Sequence, residues 1–378
     1  MTRYPALHRR VVIVERRLPH YRIAFFTQLR ELLRKEGIEL LLLVGQGTAE
    51  EAKKNDLGHL DWAIRIHTYY FLSGRLCWQP FGTYAKTADL VIVNHENKFL
   101  YNLWLLFFRR PRRLAFWGHG RNMQSRAPNG IKELFKRWTV NKADWWFAYT
   151  EMTAELIAAT GFSRDSITVV QNAIDTNAMA DLCRAVSHRD CSQMRERLGL
   201  TEGPIGLCIG SLYREKRLDF LLEAARRIRQ RIPTFQLVVA GAGPEQQVIE
   251  AAAARCPWIH YTGPLHGRDK ATVLRLADVL LNPGLVGLAI QDSFVSGTPM
   301  FTTDCGLHSP EISYLKSGQN GVMSADDLEA YTKAIVDVLS EPEVLGRLRS
   351  GSLASGLEYT VENMAIRFKQ GVLACLSR

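Results

Sequence analysis

No apolar run in this 378-residue chain reaches the ~18 residues needed to cross a bilayer. Residues 1–10 also lack the apolar stretch of a secretion signal. Neither a spanning nor an exported protein is expected. The seven cysteines (Cys77, Cys183, Cys191, Cys208, Cys256, Cys305, Cys375) are odd in number and include no CxxC pair. That argues against a disulfide framework or a zinc knuckle and favours a reducing cytosol. Short-period repeats, low-complexity tracts and Asp-x-Asp triplets are all missing. With 47% hydrophobic and 23% charged residues, the composition excludes a disordered, collagen-like or coiled-coil chain. The length suits two domains rather than one core.

What is present is an uneven charge. The net balance is +10, and residues 1–180 hold 26 Lys and Arg against 16 Asp and Glu, while residues 181–378 hold 22 of each. One reading is a solvated basic surface that aids solubility. The other is an anionic partner for the first half: a membrane surface, a phosphate-linked acceptor or a nucleic acid. No nucleic-acid-binding motif accompanies the charge, so no nucleic-acid partner is expected.

Strand and helix patterns alternate along the chain. Residues 11–14, 40–44, 90–93, 114–117, 145–149 and 168–171 are strand-like, several of them apolar throughout, as parallel strands covered on both faces are. A helix pattern covers 22–34. Residues 175–203 are polar and read as a linker with a short helix. A second series follows, with strands at 205–209, 235–240, 258–262 and 279–282 and helices at 218–231, 245–255 and 269–276. This pattern predicts an α/β protein of two doubly wound domains facing across a cleft, with the chemistry in loops after strands.

Those loops carry the motifs. Gly210-Ser-Leu-Tyr-Arg-Glu-Lys-Arg217 follows the 205–209 strand and opens onto a helix. Its backbone N–H groups suit a phosphate, and Lys216 with Arg214 or Arg217 adds full charges; equally, these are basic residues in water near a turn. Gly241-Ala-Gly243-Pro244-Glu245 is a second tight turn, structural or ligand-binding. Asn282-Pro-Gly-Leu-Val-Gly-Leu-Ala-Ile-Gln-Asp292 joins a strand to a helix on which Asp292 lies early, where the helix dipole favours a carboxylate.

The order of these three elements resembles the nucleotide-sugar domain of GT-B glycosyltransferases, in particular the retaining family 4 (group 1). The resemblance implies a GT-B fold of two Rossmann-like domains and donor-diphosphate binding by Lys216. Ser211 stands where the family has an arginine, and Arg217 where it has a glycine, so Arg217 or Arg214 is expected to take over part of the charge. Alignment on Gly297-Thr298-Pro299 sets Asp292 at the second signature glutamate, which holds the ribose hydroxyls. Gly284 then falls at the first, which contacts the donor sugar. Its absence implies a sugar held differently, by backbone around 286–288 including Gly287 and Leu288, a different sugar, or lost activity. Gly306-Leu-His-Ser-Pro-Glu311 resembles the family's Gly-Gly-x-Pro-Glu segment. Gly210, Ser211, Arg214, Gly243, Gly287, Leu288, Asp292 and Glu311 are the expected donor-binding residues.

In the first half, His119 ends a strand where the family places a histidine facing the sugar, though such a residue can also be purely structural. Asn172 and Asp175 resemble the family's end-of-domain pattern. Arg16, Arg17, His20 and Arg22 replace a glycine turn on the acceptor side, suiting a phosphorylated or acidic acceptor or standing as a basic turn in water. Residues 99–108 followed by Arg109-Arg-Pro-Arg-Arg113, and the basic amphipathic stretch 131–138, suit an anionic membrane interface or a helix buried on the sheet.

The resemblance thus implies a retaining, metal-independent glycosyltransferase of hexosyltransferase type, with His119, Lys216 and Arg217 as catalytic residues. It would transfer from a nucleotide-sugar to an anionic or lipid-diphosphate-linked glycan, as in bacterial lipopolysaccharide or exopolysaccharide synthesis. No cofactor and no metal site are expected, the nucleotide-sugar being a substrate. The expected place is the cytoplasm, peripheral on the inner membrane face. Alternatives are a nucleotide-sugar epimerase and a non-catalytic relative. The expected domains are 1–178, a linker at 179–203, a nucleotide-sugar domain at 204–355, and a C-terminal helix within 356–378 returning to the first domain.

Overall fold

The computed structural model describes residues 7–48, 51, 57–120 and 138–378. The chain forms two compact units, Met1–Asp175 with Thr360–Arg378, and Thr176–Tyr359.

The first unit contains β1 (Arg9–Glu15), β2 (Ile38–Val44), β3 (Ile64–Arg65), an antiparallel hairpin of β4 (Tyr69–Phe71) and β5 (Leu76–Trp78), then β6 (Leu90–Asn94), β7 (Leu114–Gly118), β8 (Trp145–Ala148) and β9 (Ile167–Val169). Seven strands make one parallel sheet in the order β3-β2-β1-β6-β7-β8-β9. The continuous apolar runs have a direct cause. Val11 and Ile13 pack into one layer with Phe25, Phe26 and Leu29 of the Ile23–Lys35 helix, while Val12 and Val14 pack into the other with Phe81, Leu105 and Trp146. A strand buried on both faces has no polar side.

The Val361–Ser377 helix belongs to this unit. Phe368 stacks on Phe147 at 4.1 Å between ring centroids and meets Trp117 and Phe25 edge-on. Gly371 permits the close approach: a Cβ there would lie 2.5 Å from Thr168 Oγ1 and 2.7 Å from Phe147.

The second unit contains β10 (Ile205–Ile209), β11 (Gln236–Ala240), β12 (Ile259–Tyr261), β13 (Val279–Leu281), β14 (Met300–Thr303) and β15 (Gly321–Ser324). They form a parallel sheet in the order β12-β11-β10-β13-β14-β15. The connection reverses between β10 and β13 here, and between β1 and β6 in the first unit. At such switch points a crevice opens beyond the strands' carboxyl ends.

Several features differ from the sequence pattern, which also does not mark β14, β15 or the Leu328–Ser340 and Pro342–Glu358 helices. The expected linker region carries two helices, Asn177–Ala185 and His188–Leu198. The second starts with a Ser187–Asp190 capping box and ends on the left-handed Gly199. Arg268–Asp190 and Arg197–Asp269 pairs tie it to the Gly267–Leu276 helix. The short strands β3, β4 and β5 escape periodicity, because two or three residues with half-exposed side chains leave no apolar repeat.

Candidate functional site

The second unit's switch point is built from three turns pressed together. Leu212 N–H donates to Ala242 O at 2.9 Å, and Glu245 N–H to Leu212 O at 3.0 Å. Gly241 and Gly243 allow this: a Cβ on either would sit 1.8 Å from Gly210 O or 2.2 Å from Leu212 O. Gly243 thus serves close backbone packing. Gly210 and Ser211 follow β10 at the crevice, and Ser211 is exposed.

Lys216 lies at the heart of this turn, 8% exposed. Its Nζ donates to Leu285 O at 2.8 Å and Asn282 Oδ1 at 3.4 Å. Burial pulls the ammonium below its ordinary range. Leu285 N–H in turn donates to Glu215 O at 2.8 Å. Residues 215–216 therefore press directly on the 282–288 loop. A Cβ at Gly284 would stand 2.1 Å from Glu215 O and 2.8 Å from Lys216 Cα, so backbone fills the space of any side chain at 284.

The two candidate arginines part company. Arg217 adopts a left-handed backbone, φ 58°. Its guanidinium lies over Phe220 at 4.4 Å, pairs with Asp326 and donates to Thr303 Oγ1 at 3.1 Å. It is thus engaged beside β14, whereas Arg214 is exposed and forms no ion pair among the described residues. Of the two, Arg217 has an acidic partner and Arg214 has none among the described residues.

Beyond Leu285, Val286 is fully buried. Its N–H donates to His308 Nδ1 at 3.1 Å, and its carbonyl accepts Ser309 N–H at 2.9 Å. Among the described residues, the N–H groups of Gly287 and Leu288 have no internal partner. Asp292 lies in the first turn of the Ile290–Ser296 helix and pairs with Lys270 Nζ at 2.8 Å. Glu311 is buried in a 3-10 turn, Pro310–Tyr314.

In the first unit, His119 follows β7, exposed, with its ring edge-on to Tyr149 at 4.4 Å. Arg16 forms a two-pronged pair with Glu51 and donates to Tyr70 Oη at 3.0 Å. The hydrogen bond from Arg16 holds the Glu51 carboxyl down at about 2. This pair lines a cavity of about 510 Å³ with Thr48, Ser73 and Lys98. Arg17 approaches Glu51 at 4.0 Å and His20 is exposed. Arg22, expected on the acceptor side, is 6% exposed, its guanidinium 5.0 Å from the Trp117 ring and 5.7 Å from that of Tyr149. An aromatic cage there makes it a core cation.

Several residues escaped the sequence reading. Glu15 ends β1 at the first unit's switch point and accepts Asn94 Nδ2–H at 3.1 Å. Burial raises its pKa to about 7, against the opposing pull of Arg22. Its position directly after the 11–14 apolar run was the available signal. Lys270, Asn282, His308 and Asp326 are joined to the site only by tertiary contacts, 22 to 109 residues apart in sequence.

Of the two candidate membrane elements, the Leu100–Phe108 helix buries Tyr101, Leu105 and Leu106. Phe108 is 75% exposed, and exposed Phe107 stacks on Trp138 at 5.2 Å. Residues 131–137 of the second element lie outside the described residues. No helix among the described residues is long and apolar enough to cross a membrane.

Comparison with known proteins adds family and fold. Residues 203–341 match the family described as glycosyl transferases group 1, and residues 25–178 match glycosyltransferase family 4. A GDP-mannose-dependent alpha-(1-6)-phosphatidylinositol monomannoside mannosyltransferase of Mycolicibacterium smegmatis is 25% identical over 197 residues, 48% of this chain and 50% of its own length. A 2-deoxystreptamine glucosyltransferase of Streptomyces kanamyceticus is 25% identical over 250 residues, 64% of this chain and 63% of its own. The matched segments thus span about half to two thirds of these relatives. The crystal structure of Anabaena HepE in complex with UDP superposes with a TM-score of 0.70 at 14% identity, covering 97% of this chain and 100% of that one. The two Rossmann-like units are those of the GT-B fold.

Proposed function

We propose, from the premise that this chain belongs to the group 1 glycosyltransferases of family 4, that it moves a sugar from a nucleoside-diphosphate donor to a lipid-linked or polysaccharide acceptor. The observation that carries this reading is Lys216, a nearly buried ammonium at the second unit's switch point. It touches a loop whose Gly287 and Leu288 N–H groups have no partner among the described residues. A cation already desolvated costs little to aim at the charge that develops on a leaving diphosphate. The mannosyl and glucosyl relatives and the UDP-bound neighbour support a nucleotide-sugar donor.

The configuration is retained by front-face substitution. As the bond from the anomeric carbon to the diphosphate oxygen breaks, Lys216 and Arg214 neutralise that oxygen. The acceptor hydroxyl attacks from the same face and passes its proton to the departing oxygen. Asp292 holds the ribose hydroxyls with Lys270 as its counter-charge. His119 keeps the sugar-positioning role that the family likeness suggests. Lys216 and Arg214 supply the charge in this reading without a metal. Arg217, engaged with Asp326, shapes the turn instead.

The acceptor is anionic, in keeping with the basic first half, and the protein sits peripherally on a cytoplasmic membrane face. Exposed Phe107, Phe108 and Trp138 beside Arg109, Arg110 and Arg112 support that placement. Gly284 favours a second reading, a non-catalytic relative that binds a nucleotide-sugar. Thermal shift against UDP, GDP, dTDP and ADP sugars tests the donor: a ligand at 100 times its Kd adds about 2.7 kcal/mol. A shift with one base followed by transfer with retained anomeric configuration supports the enzyme. A shift without transfer to any lipid-linked or polysaccharide acceptor supports the second reading, and no shift contradicts both.

A further inference from the structure

His308 stands in the segment after β14, 6% exposed and 22 residues from the loop it holds. Its two ring nitrogens face opposite kinds of partner. Nε2 lies 2.7 Å from Thr303 O, which can only accept, and 3.6 Å from Cys305 Sγ, so Nε2 carries the proton and the carbonyl is its nearer acceptor. Nδ1 receives the Val286 N–H, which can only donate, so Nδ1 is a bare lone pair. The two bonds together require one neutral tautomer. Ser309 N–H takes the Val286 carbonyl at 2.9 Å, so both backbone polar groups of Val286 are fixed by the 308–309 pair. On the other side, Lys216 Nζ and Glu215 O fix Leu285. The loop is thus clamped from both sides immediately before Gly287 and Leu288, whose N–H groups meet no partner among the described residues. No side chain fits at 284 to do the same task.

We propose that His308 is a positioning residue of the donor site, holding Val286 so that the Gly287 and Leu288 N–H groups grip the hydroxyls of the donor sugar. The inference rests on the donor reading above. Lys216 serves the diphosphate and the histidine-held backbone serves the sugar, a division that replaces an acidic side chain with main-chain donors. Because Val286 is fully buried, its N–H has no water to turn to if the ring is lost.

Two isosteric variants separate positioning from general packing. In His308→Asn the amide oxygen falls where Nδ1 was and still accepts Val286 N–H. In His308→Gln the amide nitrogen replaces Nε2 and still donates to Thr303 O, but the Val286 bond is gone. Amide hydrogen exchange on the ligand-free protein reads the clamp directly. Exchange at Val286 is expected to rise at least tenfold in the Gln variant and to stay near wild type in the Asn variant. Equal protection in all three proteins overturns the clamp.

Calorimetry with UDP, GDP and their glucose and mannose conjugates then reads the consequence. The Gln variant should bind the sugar conjugate about tenfold more weakly while binding the plain diphosphate as wild type does, and Asn should restore the conjugate. If wild type binds one of the conjugates and both variants bind it equally well, the inference fails while the donor reading stands. If wild type binds none of the four, the donor reading fails for these probes, and with it the proposed role of the clamp, whatever the exchange result.

Discussion

Glu15 offers a prediction whose size follows from its surroundings. It closes β1 at the first unit's switch point with Asn94 as a hydrogen-bond partner. Burial lifts its pKa from 4.5 to about 7, outweighing the favourable field of Arg22. A carboxyl raised in the folded state binds its proton more tightly there than in the unfolded chain. Its contribution to stability is therefore complete below pH 4.5 and is lost as pH rises through 7. At about 1.4 kcal/mol per pH unit, a displacement of that size is worth up to about 3 kcal/mol. Glu15→Gln keeps the shape and the acceptor oxygen for Asn94 but removes the titration. Urea unfolding at pH 5 and pH 8 measures the difference, followed by tryptophan fluorescence, since seven of the eight tryptophans lie in the first unit. Wild type should lose up to about 3 kcal/mol more than the variant between the two pH values. Equal losses would refute the idea that Glu15 is held protonated by burial.

Three further outcomes follow from packing. Phe368→Ala removes a ring stacked on Phe147 and should cost about 3–5 kcal/mol, seen in the tryptophan signal of the first unit; a cost under 1 kcal/mol contradicts the role given to the C-terminal helix. Gly284→Glu puts an acid back where Glu215 O stands 2.1 Å from any Cβ. It should lower the melting temperature without raising transfer, and a gain in transfer would contradict the packing argument. Phe108→Asp should abolish flotation with anionic liposomes at low salt, whereas unchanged flotation would remove this face from the membrane proposal.

Much of the fold was legible because its strands are buried on both faces. Residues 11–14 and 90–93 could only be apolar runs, and the Leu218–Arg231 helix follows its periodicity. The hairpin of β4 and β5 was not legible, since Tyr69 and Phe71 are exposed and impose no apolar pattern. In the candidate site, Lys216 was found by its distance from a strand end. Its acceptors, Leu285 O and Asn282 Oδ1, depend on a fold contact 66 to 69 residues away. The sequence offers Arg214 and Arg217 as equals, and only the left-handed backbone of Arg217 and the distant Asp326 separate them. Arg22 shows surroundings that its sequence neighbours do not reveal. Beside Arg16 and Arg17 it looks like part of a cationic patch, yet Trp117 and Tyr149, about a hundred residues on or more, enclose it.

The central claim is that the second unit grips a nucleoside diphosphate through Lys216. Calorimetric titration of UDP, GDP, dTDP and ADP into wild type and Lys216→Met tests it most directly, because methionine keeps the buried stem and Asn282 Nδ2 still donates to Leu285 O. A charge-assisted bond is worth about 1.5–3 kcal/mol. The account predicts that one diphosphate binds wild type and binds the variant about ten to a hundred times more weakly. Equal affinity in the two proteins, or no binding by wild type, would contradict it.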